Sequence, residues 1–315
     1  MWSYILRRVL QALVFIFLIS VLIFSMIHIV PGDPVLTILG DEGASQEKIQ
    51  ALRTALKLDR PLPVQFFDWI GAVVRGDLGE SLISGRSITP DILTRLPRTF
   101  ELIFLAIILS LLVGIPLGIL AAVRRNHALD WLISLSAMLG LSTPVFVTGT
   151  LLTLLFSLRL QWFPSTGYVS FQEDPLAHLQ RLILPSISLA TTTSAIVMRM
   201  MRSSVLEVIS LDYIRTSRAK GLNQAVTLYK HVLRNAVIPV VAIIGVQVST
   251  LIGGTVLIEY IFNWPGLSSM LIKAISQRDY PTVQGVVLFI SSLVIFINLL
   301  VDLSYGMLDP RVRYT

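Results

Sequence analysis

Long stretches without a charged side chain constrain this chain more than any other feature of its sequence. A helix crosses the apolar core of a bilayer with about 20 apolar residues. Six stretches free of Asp, Glu, Lys and Arg occupy residues 9–32, 102–123, 131–158, 182–198, 235–258 and 280–301. All but the fourth exceed that length, and the fourth reaches it if the Arg199 side chain extends to the membrane surface. The sequence therefore predicts an all-α integral membrane protein with about six transmembrane helices.

Composition agrees with this class. Only 14% of the residues are charged, whereas soluble domains carry about 25%. The net charge of +6 favours Lys and Arg on the cytoplasmic side over nucleic-acid binding, because the basic segments lie between apolar stretches. The chain has no cysteine, which excludes thiolate chemistry, and its four histidines show no metal-ligand spacing, so no metal site is predicted.

The distribution of Lys and Arg orients the predicted spans. With the N-terminus inside, thirteen of these residues lie in inner segments and four in the short outer loops. The remaining eight lie in an outer loop of more than 60 residues, and so long a loop has little influence on orientation. Both termini are therefore predicted to be cytoplasmic.

Three parts follow from this topology. Residues 1–32 form the N-terminus and first transmembrane helix, residues 33–98 an extracytoplasmic loop with short helices, and residues 99–315 a five-helix core with a cytoplasmic segment at 199–236. Ile49, Leu52 and Leu56 recur at helical spacing within the extracytoplasmic loop. That loop is either a small cap on the helix ends, a dock for an external partner or part of an outer gate.

The cytoplasmic segment carries two helix signals around a glycine. Asp212 is a candidate N-cap for a helix running to Lys220, and Gly221 can end that helix in the left-handed conformation. Asn223 can cap a second, short helix. One face of that second helix carries Val226, Tyr229 and Leu233. This pattern predicts a rigid projection; a basic helix lying on anionic lipid is the alternative, and a DNA-binding helix-turn-helix is disfavoured between two spans.

The loop between the last two spans combines aromatic and charged residues. Trp264 and Tyr280 are predicted to anchor at the membrane interface. Pro265-Gly266 predicts a turn. Glu259 and Arg278 are candidates for a pair near the outer mouth.

Small, kinking and polar residues within the spans suggest helix contacts and a solute path. Gly114 and Gly118, and the series Gly245, Ser249 and Gly253, permit close packing within the subunit or between subunits. Pro116, Pro144 and Pro185 are candidate kinks. The candidate pathway or gate residues are His28, Asp33, Gln247, Thr250, Glu259, Arg278 and Asn298.

Four groups of motifs carry a resemblance to a known family. They are residues 28–34 (HIVPGDP), residues 76–81 (GDLGES), residues 212–221 (DYIRTSRAKG) with 231–241 (HVLRNAVIPVV), and residues 262–267 (FNWPGL) with 278–281 (RDYP) and 309–313 (DPRVR). With them the chain resembles, over nearly its whole length, the permease subunits of ATP-binding-cassette (ABC) importers for dipeptides, oligopeptides, glutathione and nickel. The resemblance is greatest to the first of the two permease subunits in such importers.

The resemblance implies a fold and a set of partners. It implies the type I ABC importer transmembrane fold in the cytoplasmic (inner) membrane of a prokaryote. The implied partners are a second homologous permease that is a different chain, two ATPase subunits and an extracytoplasmic solute-binding protein. The chain has no Gly-x-x-x-x-Gly-Lys-Ser/Thr loop, so it is not expected to be an enzyme or to bind a cofactor itself; ATP and Mg²⁺ are expected on the ATPase subunits.

The resemblance also implies that the cytoplasmic signature couples the spans to the ATPase. The residues predicted to form this coupling site are Asp212, Arg215, Arg218, Ala219, Lys220, Gly221, Leu222, Val226, Tyr229, His231, Arg234 and Asn235. The general importer signature reads Glu-Ala-Ala where this chain has Arg215-Thr216-Ser217. That departure rules out transferring a glutamate contact to this chain.

Two other classes of function compete with an importer subunit. A secondary transporter usually places charged residues deep in its spans, and here the mid-span positions are nearly free of them. An intramembrane hydrolase needs a nucleophile with a base, or metal ligands, at membrane depth. Neither His-Glu-x-x-His nor Gly-x-Ser-x-Gly occurs in the chain.

Overall fold

The computed structural model describes residues 2–29, 50, 54 and 59–308, without the side chains of residues 27–29, 218 and 305–308. Asp33 therefore lies outside the described residues, as does the side chain of His28. The described part is helical, and its one β-type pairing is an isolated bridge between Glu80 and Ser87. This confirms the predicted all-α class.

Twelve α-helices are described, with two π-helical turns between them. They are α1 (Trp2–Ile29), α2 (Leu62–Val74), α3 (Ile88–Val123), α4 (Ala128–Ser142), α5 (Val145–Leu152), α6 (Pro175–Ile209), α7 (Asp212–Ala219), α8 (Gln224–Val226), α9 (Leu233–Ala236), α10 (Ile238–Ile261), α11 (Leu267–Ser276) and α12 (Tyr280–Leu308). One π-helical turn, Thr153–Arg159, follows α5, and the other, Thr227–Val232, joins α8 to α9.

Five of the described helices are long and apolar enough to cross a membrane, and a bent helix pair supplies a sixth candidate. The five are Trp2–Met26, Ile88–Val123, Pro175–Ile209, Ile238–Ile261 and Tyr280–Ser304, and the bent pair is Ala128–Ser142 with Val145–Arg159. The predicted number of about six is confirmed. Several helices are longer than the uncharged stretches that predicted them. For example, α3 begins 14 residues before Leu102, where the second uncharged stretch starts.

The third predicted span is broken at a proline. Its two halves are bent by 103°, and Thr143, the first of the two residues between them, has an extended backbone (φ −87°, ψ 121°). Pro144 follows, and proline disfavours the helical conformation in the residue before it. By contrast, α6 continues through Pro185, so only one of these two prolines ends a helix.

Contacts divide the chain into two compact units, residues 1–97 with 266–299 and residues 98–265 with 300–315. The first unit packs α2 against α1 through Phe66, whose ring meets Phe17 and Phe24 edge-on at 6.0 and 5.5 Å. It also has a core of aliphatic and methionine side chains. The fully or nearly buried members of that core are Leu78, Ile88, Ile92, Leu267, Met270 and Val286.

A buried carboxylate joins two of the sequence motifs within the first unit. Asp279 accepts hydrogen bonds from the hydroxyls of Ser81 (2.6 Å) and Thr282 (2.7 Å) and from the backbone N–H of Leu82 (3.1 Å). Asp279 is buried, and these donors offset the cost of removing its charge from water. The GDLGES and RDYP segments are therefore neighbours in the folded chain.

Glycines bring α3 against α6 in the second unit. A Cβ atom at Gly114 would lie 2.7 Å from Val197, and one at Gly118 would lie 2.6 Å from the Met198 carbonyl oxygen. At Gly245 the nearest atom would belong to Val301, at 2.8 Å. The sequence left open whether these glycines pack within or between subunits, and these three pack within the chain.

Trp264 corrects one prediction. The sequence predicted an interfacial anchor, but Trp264 has 0% of its surface exposed. Its indole Nε1–H donates to the Arg98 carbonyl (2.9 Å), and the Tyr168 ring meets it edge-on at 4.9 Å. Because the indole donor has a partner, burial leaves no unsatisfied polar atom. Tyr280, the other predicted anchor, is half-buried at the start of α12.

Candidate coupling site

The predicted cytoplasmic segment folds as an elbow of two helical arms, which we define as residues 212–236. The first arm is α7, in which Asp212 is the first helical residue rather than the predicted cap. The turn lies at Gly221, whose φ of +81° is left-handed. A residue with a Cβ rarely adopts this conformation, so the sequence prediction of a glycine turn is confirmed.

The second arm begins with a side-chain cap, as predicted. The Asn223 Oδ1 accepts from the Ala225 N–H at 3.1 Å. The arm is longer than the predicted short helix and contains the π-helical turn Thr227–Val232. This wider turn changes the helical phase, so the predicted common face is wrong: Val226 and Tyr229 point outward, whereas Leu233 packs against the apolar core.

Apolar side chains fix the elbow to α6. Ile214 of α7, Val232 and Ala236 are fully buried or nearly so. They belong to one cluster with side chains of α3, α6 and α10, whose buried members are Ala122, Val197, Met201, Val205, Val208 and Val240. Since close-packed interiors transmit displacement, a push on the elbow reaches α6 through side-chain contact.

A polar brace ties the two arms together, and we define it as Tyr213, His231 and Asn235. The Asn235 Nδ2 donates to the Tyr213 hydroxyl oxygen at 2.8 Å and lies 3.3 Å from the His231 carbonyl oxygen. The Tyr213 hydroxyl lies 3.5 Å from the same carbonyl. Sequence analysis named His231 and Asn235 but missed Tyr213, although its position inside the quoted motif was a usable signal.

The end of the elbow exposes apolar side chains, and we define this tip as Leu222, Val226 and Tyr229. Their exposed fractions are 40%, 44% and 70%. Ala219, Lys220 and Arg234 are also exposed, and Arg215, with 75% of its side chain in solvent, lies 3.4 Å from an Asp212 oxygen. The Arg218 side chain lies outside the described part. An apolar tip with basic flanks suits an apolar groove on an acidic partner surface.

An ion pair on α4 and α6 was missed by the sequence analysis. The Arg202 guanidinium donates to both Asp130 oxygens, from Nε at 2.7 Å and from Nη2 at 2.9 Å. The Asn126 N–H donates to the same carboxylate at 3.1 Å. Asp130 is buried. From the sequence, Arg202 counted only as one of the thirteen basic residues of the inner segments, because a partner 72 residues away leaves no local pattern.

The structure places the candidate pathway residues as follows. Gln247 is buried on α10, Thr250 is exposed there with its hydroxyl 3.3 Å from the Val246 carbonyl, and Asn298 is half-buried on α12. Glu259 is fully buried and accepts from the Thr99 hydroxyl at 2.7 Å. Arg278 is exposed. The predicted pair between Arg278 and Glu259 would join residues of the two units, and it stays a prediction. In the described part of the chain no three His, Asp or Glu residues are arranged to hold a metal.

Comparison with protein families gives two matches that together cover nearly the whole chain. Residues 114–314 match the family described as binding-protein-dependent transport system inner membrane component. Residues 1–103 match the N-terminal region described for membrane components of the same transport systems.

Full-length relatives and solved structures agree with these matches. The glutathione transport system permease protein of Escherichia coli O6:H1 is 40% identical over 314 residues, with 100% of each chain covered. A protein of Brucella suis biovar 1 named as a peptide permease is 41% identical over 319 residues, again with 100% of each covered. A methionine ABC transporter crystallised in inward-facing conformations covers 69% of this chain and 96% of its own with a TM-score of 0.57 at 18% identity, which supports the type I importer fold.

Proposed function

Because the chain belongs to the family of binding-protein-dependent transport system inner membrane components, we propose that it is a permease subunit that forms half of the transport pathway of an ABC importer for peptides. Di- and oligopeptides are the proposed solute class, with glutathione or nickel complexes as narrower possibilities within the same family. The relatives named above support this class, since they match over their full length and are named for peptide and glutathione transport.

The proposed importer contains four protein chains besides this one, and it lies in the lipid of the inner membrane. The four chains are a second, different permease, two ATPase subunits that hold ATP and Mg²⁺, and an extracytoplasmic solute-binding protein. Both termini and the elbow are assigned to the cytoplasm. The excess of Lys and Arg in the predicted inner segments supports this orientation.

The tip is the proposed contact with the ATPase. Leu222, Val226 and Tyr229 would fill an apolar groove, and Arg215 and Lys220 would meet polar or acidic groups at its edge. ATP binding draws the ATPase subunits together, and the elbow follows as a rigid body. Ile214, Val232 and Ala236 then pass that movement to α6 through the shared core. The brace keeps the two arms from moving independently.

One observation carries this proposal: an apolar tip is exposed on a segment whose other side is packed into the helix core. An exposed apolar patch rimmed by polar residues is typical of an interaction site. The test is mild detergent extraction from native membranes followed by mass spectrometry of the bound proteins. We expect two ATPase subunits and a sister permease to accompany the chain. A homogeneous preparation of this chain that hydrolyses ATP alone would refute the assignment.

The solute class has a separate test. Binding of labelled dipeptides, tripeptides, glutathione and nickel complexes to the accompanying extracytoplasmic receptor should favour the peptides. Uptake by cells lacking this chain should fall for the same compounds. Unchanged peptide uptake in such cells, with loss of an unrelated solute, would remove the peptide assignment and leave the permease assignment intact.

A further inference from the structure

A cavity of about 710 Å³ lies between α4, α6 and α10, apart from the elbow. Sites for small ligands occupy roughly 300–1,000 Å³. Its lining includes Ser134, Met138, Leu141, Ile196, Arg199 and Ser203. Arg202 and Ile243 also line the cavity. Among the described residues of the predicted coupling site and pathway, none lines the cavity.

The cavity is polar at one end and apolar at the other. The start of α4 lies beside residue 202 through the Asp130–Arg202 pair, and the Thr192 hydroxyl lies 3.4 Å from the Gly140 carbonyl oxygen. The two helices are therefore antiparallel along the cavity. The polar end holds Arg199, Arg202 and Ser203 beside Ser134. Ile196 lies toward Leu141, which is roughly 10 Å from Ser134 along α4 at 1.5 Å per residue.

The polar end has an unmatched positive charge. Asp130 already binds the Arg202 guanidinium through two hydrogen bonds. Arg199 is exposed, and among the described residues it has no acidic partner. A guanidinium beside a serine hydroxyl can hold a phosphate or carboxylate through several N–H and O–H donors.

The level of the cavity along the membrane-spanning part of α6 indicates which kind of anion can reach it. The uncharged stretch of α6 ends at Met198, so Arg199 marks the level at which that helix leaves the apolar core. Basic pockets between transmembrane helices at this level bind the head groups of anionic lipids. The apolar end, with Met138 and Leu141, continues into the depth occupied by acyl chains.

We propose that this cavity binds an anionic phospholipid. Its phosphate would lie against Arg199 and Ser203, and an acyl chain would follow Met138 and Leu141 into the bilayer. Asp130 keeps Arg202 from acting as a second anchor, so the site takes one phosphate group. The assignment of the lipid to the inner leaflet rests on the orientation proposed above. The existence of the binding site does not depend on that orientation.

The test is a lipid titration of the purified chain in detergent, without partner subunits, followed by native mass spectrometry. The probes are phosphatidylglycerol and phosphatidylcholine. We expect tighter binding of phosphatidylglycerol, and we expect Arg199→Gln to weaken it by on the order of fivefold, as for one basic residue near a membrane surface. Arg125→Gln is the matched control, because Arg125 is also exposed but does not line the cavity. Ser203→Phe, which fills the polar end and keeps both arginines, should also lower binding.

Three results would overturn this proposal. One is equal binding of the two lipids, and another is unchanged binding in both Arg199→Gln and Ser203→Phe. The third is displacement of the lipid by a peptide such as trialanine, which would make the cavity a solute site. The measurement does not depend on transport or on ATPase subunits, so failure of the proposed importer function would not alter its outcome.

Discussion

At the scale of single residues, Tyr229 tests the proposed tip. With 70% of its surface exposed, it contributes little to the fold, so Tyr229→Ala should leave thermal stability nearly unchanged. Aromatic residues at the centre of an interface often contribute about 2 kcal/mol or more to binding. We therefore expect a loss of ATPase affinity of on the order of 30-fold, measured by binding of the purified ATPase subunit.

Tyr229→Phe is the matched control for that substitution. It keeps the ring and removes only the hydroxyl, so affinity should stay close to that of the native chain. Equal affinity of the alanine variant and the native chain would place the ATPase contact elsewhere on the elbow.

The brace makes a different prediction at the same scale. Asn235→Ala removes the donor to Tyr213, and a single hydrogen bond contributes about 1 kcal/mol. Uptake should fall more than ATP hydrolysis does, because the loosened elbow still binds the ATPase but moves less as a unit. Tyr213→Phe removes the acceptor instead, and the double variant should cost less than the sum of the two. Additive losses in uptake would show that the two residues act independently.

At the scale of the secondary-structure elements, the Gly221 turn sets the angle between the arms. Its left-handed φ costs a residue with a Cβ about 1–2 kcal/mol. Gly221→Ala should therefore disturb the elbow and reduce co-purification of the ATPase subunits without unfolding the spans. Asn enters this conformation more readily than Ala, so Gly221→Asn should retain more of the complex. The reverse order of the two variants would contradict a role for the backbone conformation.

The contact between α3 and α6 gives a stability prediction. A Cβ at Gly118 would lie 2.6 Å from the Met198 carbonyl oxygen and 2.7 Å from the Met201 Cβ. Overpacking of this kind costs about 1–3 kcal/mol, so Gly118→Ala should lower the thermal midpoint in detergent. Gly253→Ala is the control, because nothing lies within 4 Å of a Cβ there. Equal midpoints for the two variants would show that α3 and α6 are not in close contact.

Features that depend on residues close together in the sequence were predictable, and features that depend on contacts between distant residues were not. The apolar stretches predicted the spans, and Gly221 and Asn223 predicted the turn and cap of the elbow, since each effect lies within a few residues. The burial of Trp264 depends on the Arg98 carbonyl 166 residues away, and the Asp130–Arg202 pair spans 72 residues. The π-helical turn has no signal in hydrophobic spacing, which assumes 3.6 residues per turn.

At the scale of the whole molecule, one apolar cluster connects the exposed tip to the spans. That cluster joins α3, α6, α10 and the elbow, so docking and transport should be separable by mutation. A core substitution such as Val232→Ala should keep ATPase binding and reduce uptake. A tip substitution should reduce both. Measurement of binding and uptake for the two variants side by side checks this division, and loss of binding in both would remove it.

The most direct measurement of the central claim is the accessibility of the tip. The native chain has no cysteine, so a Leu222→Cys variant can be labelled by a membrane-impermeant maleimide without background. We predict labelling in inside-out vesicles stripped of ATPase subunits, protection when those subunits are added back, and none in intact cells. Labelling of Cys at this position from outside intact cells would contradict the account.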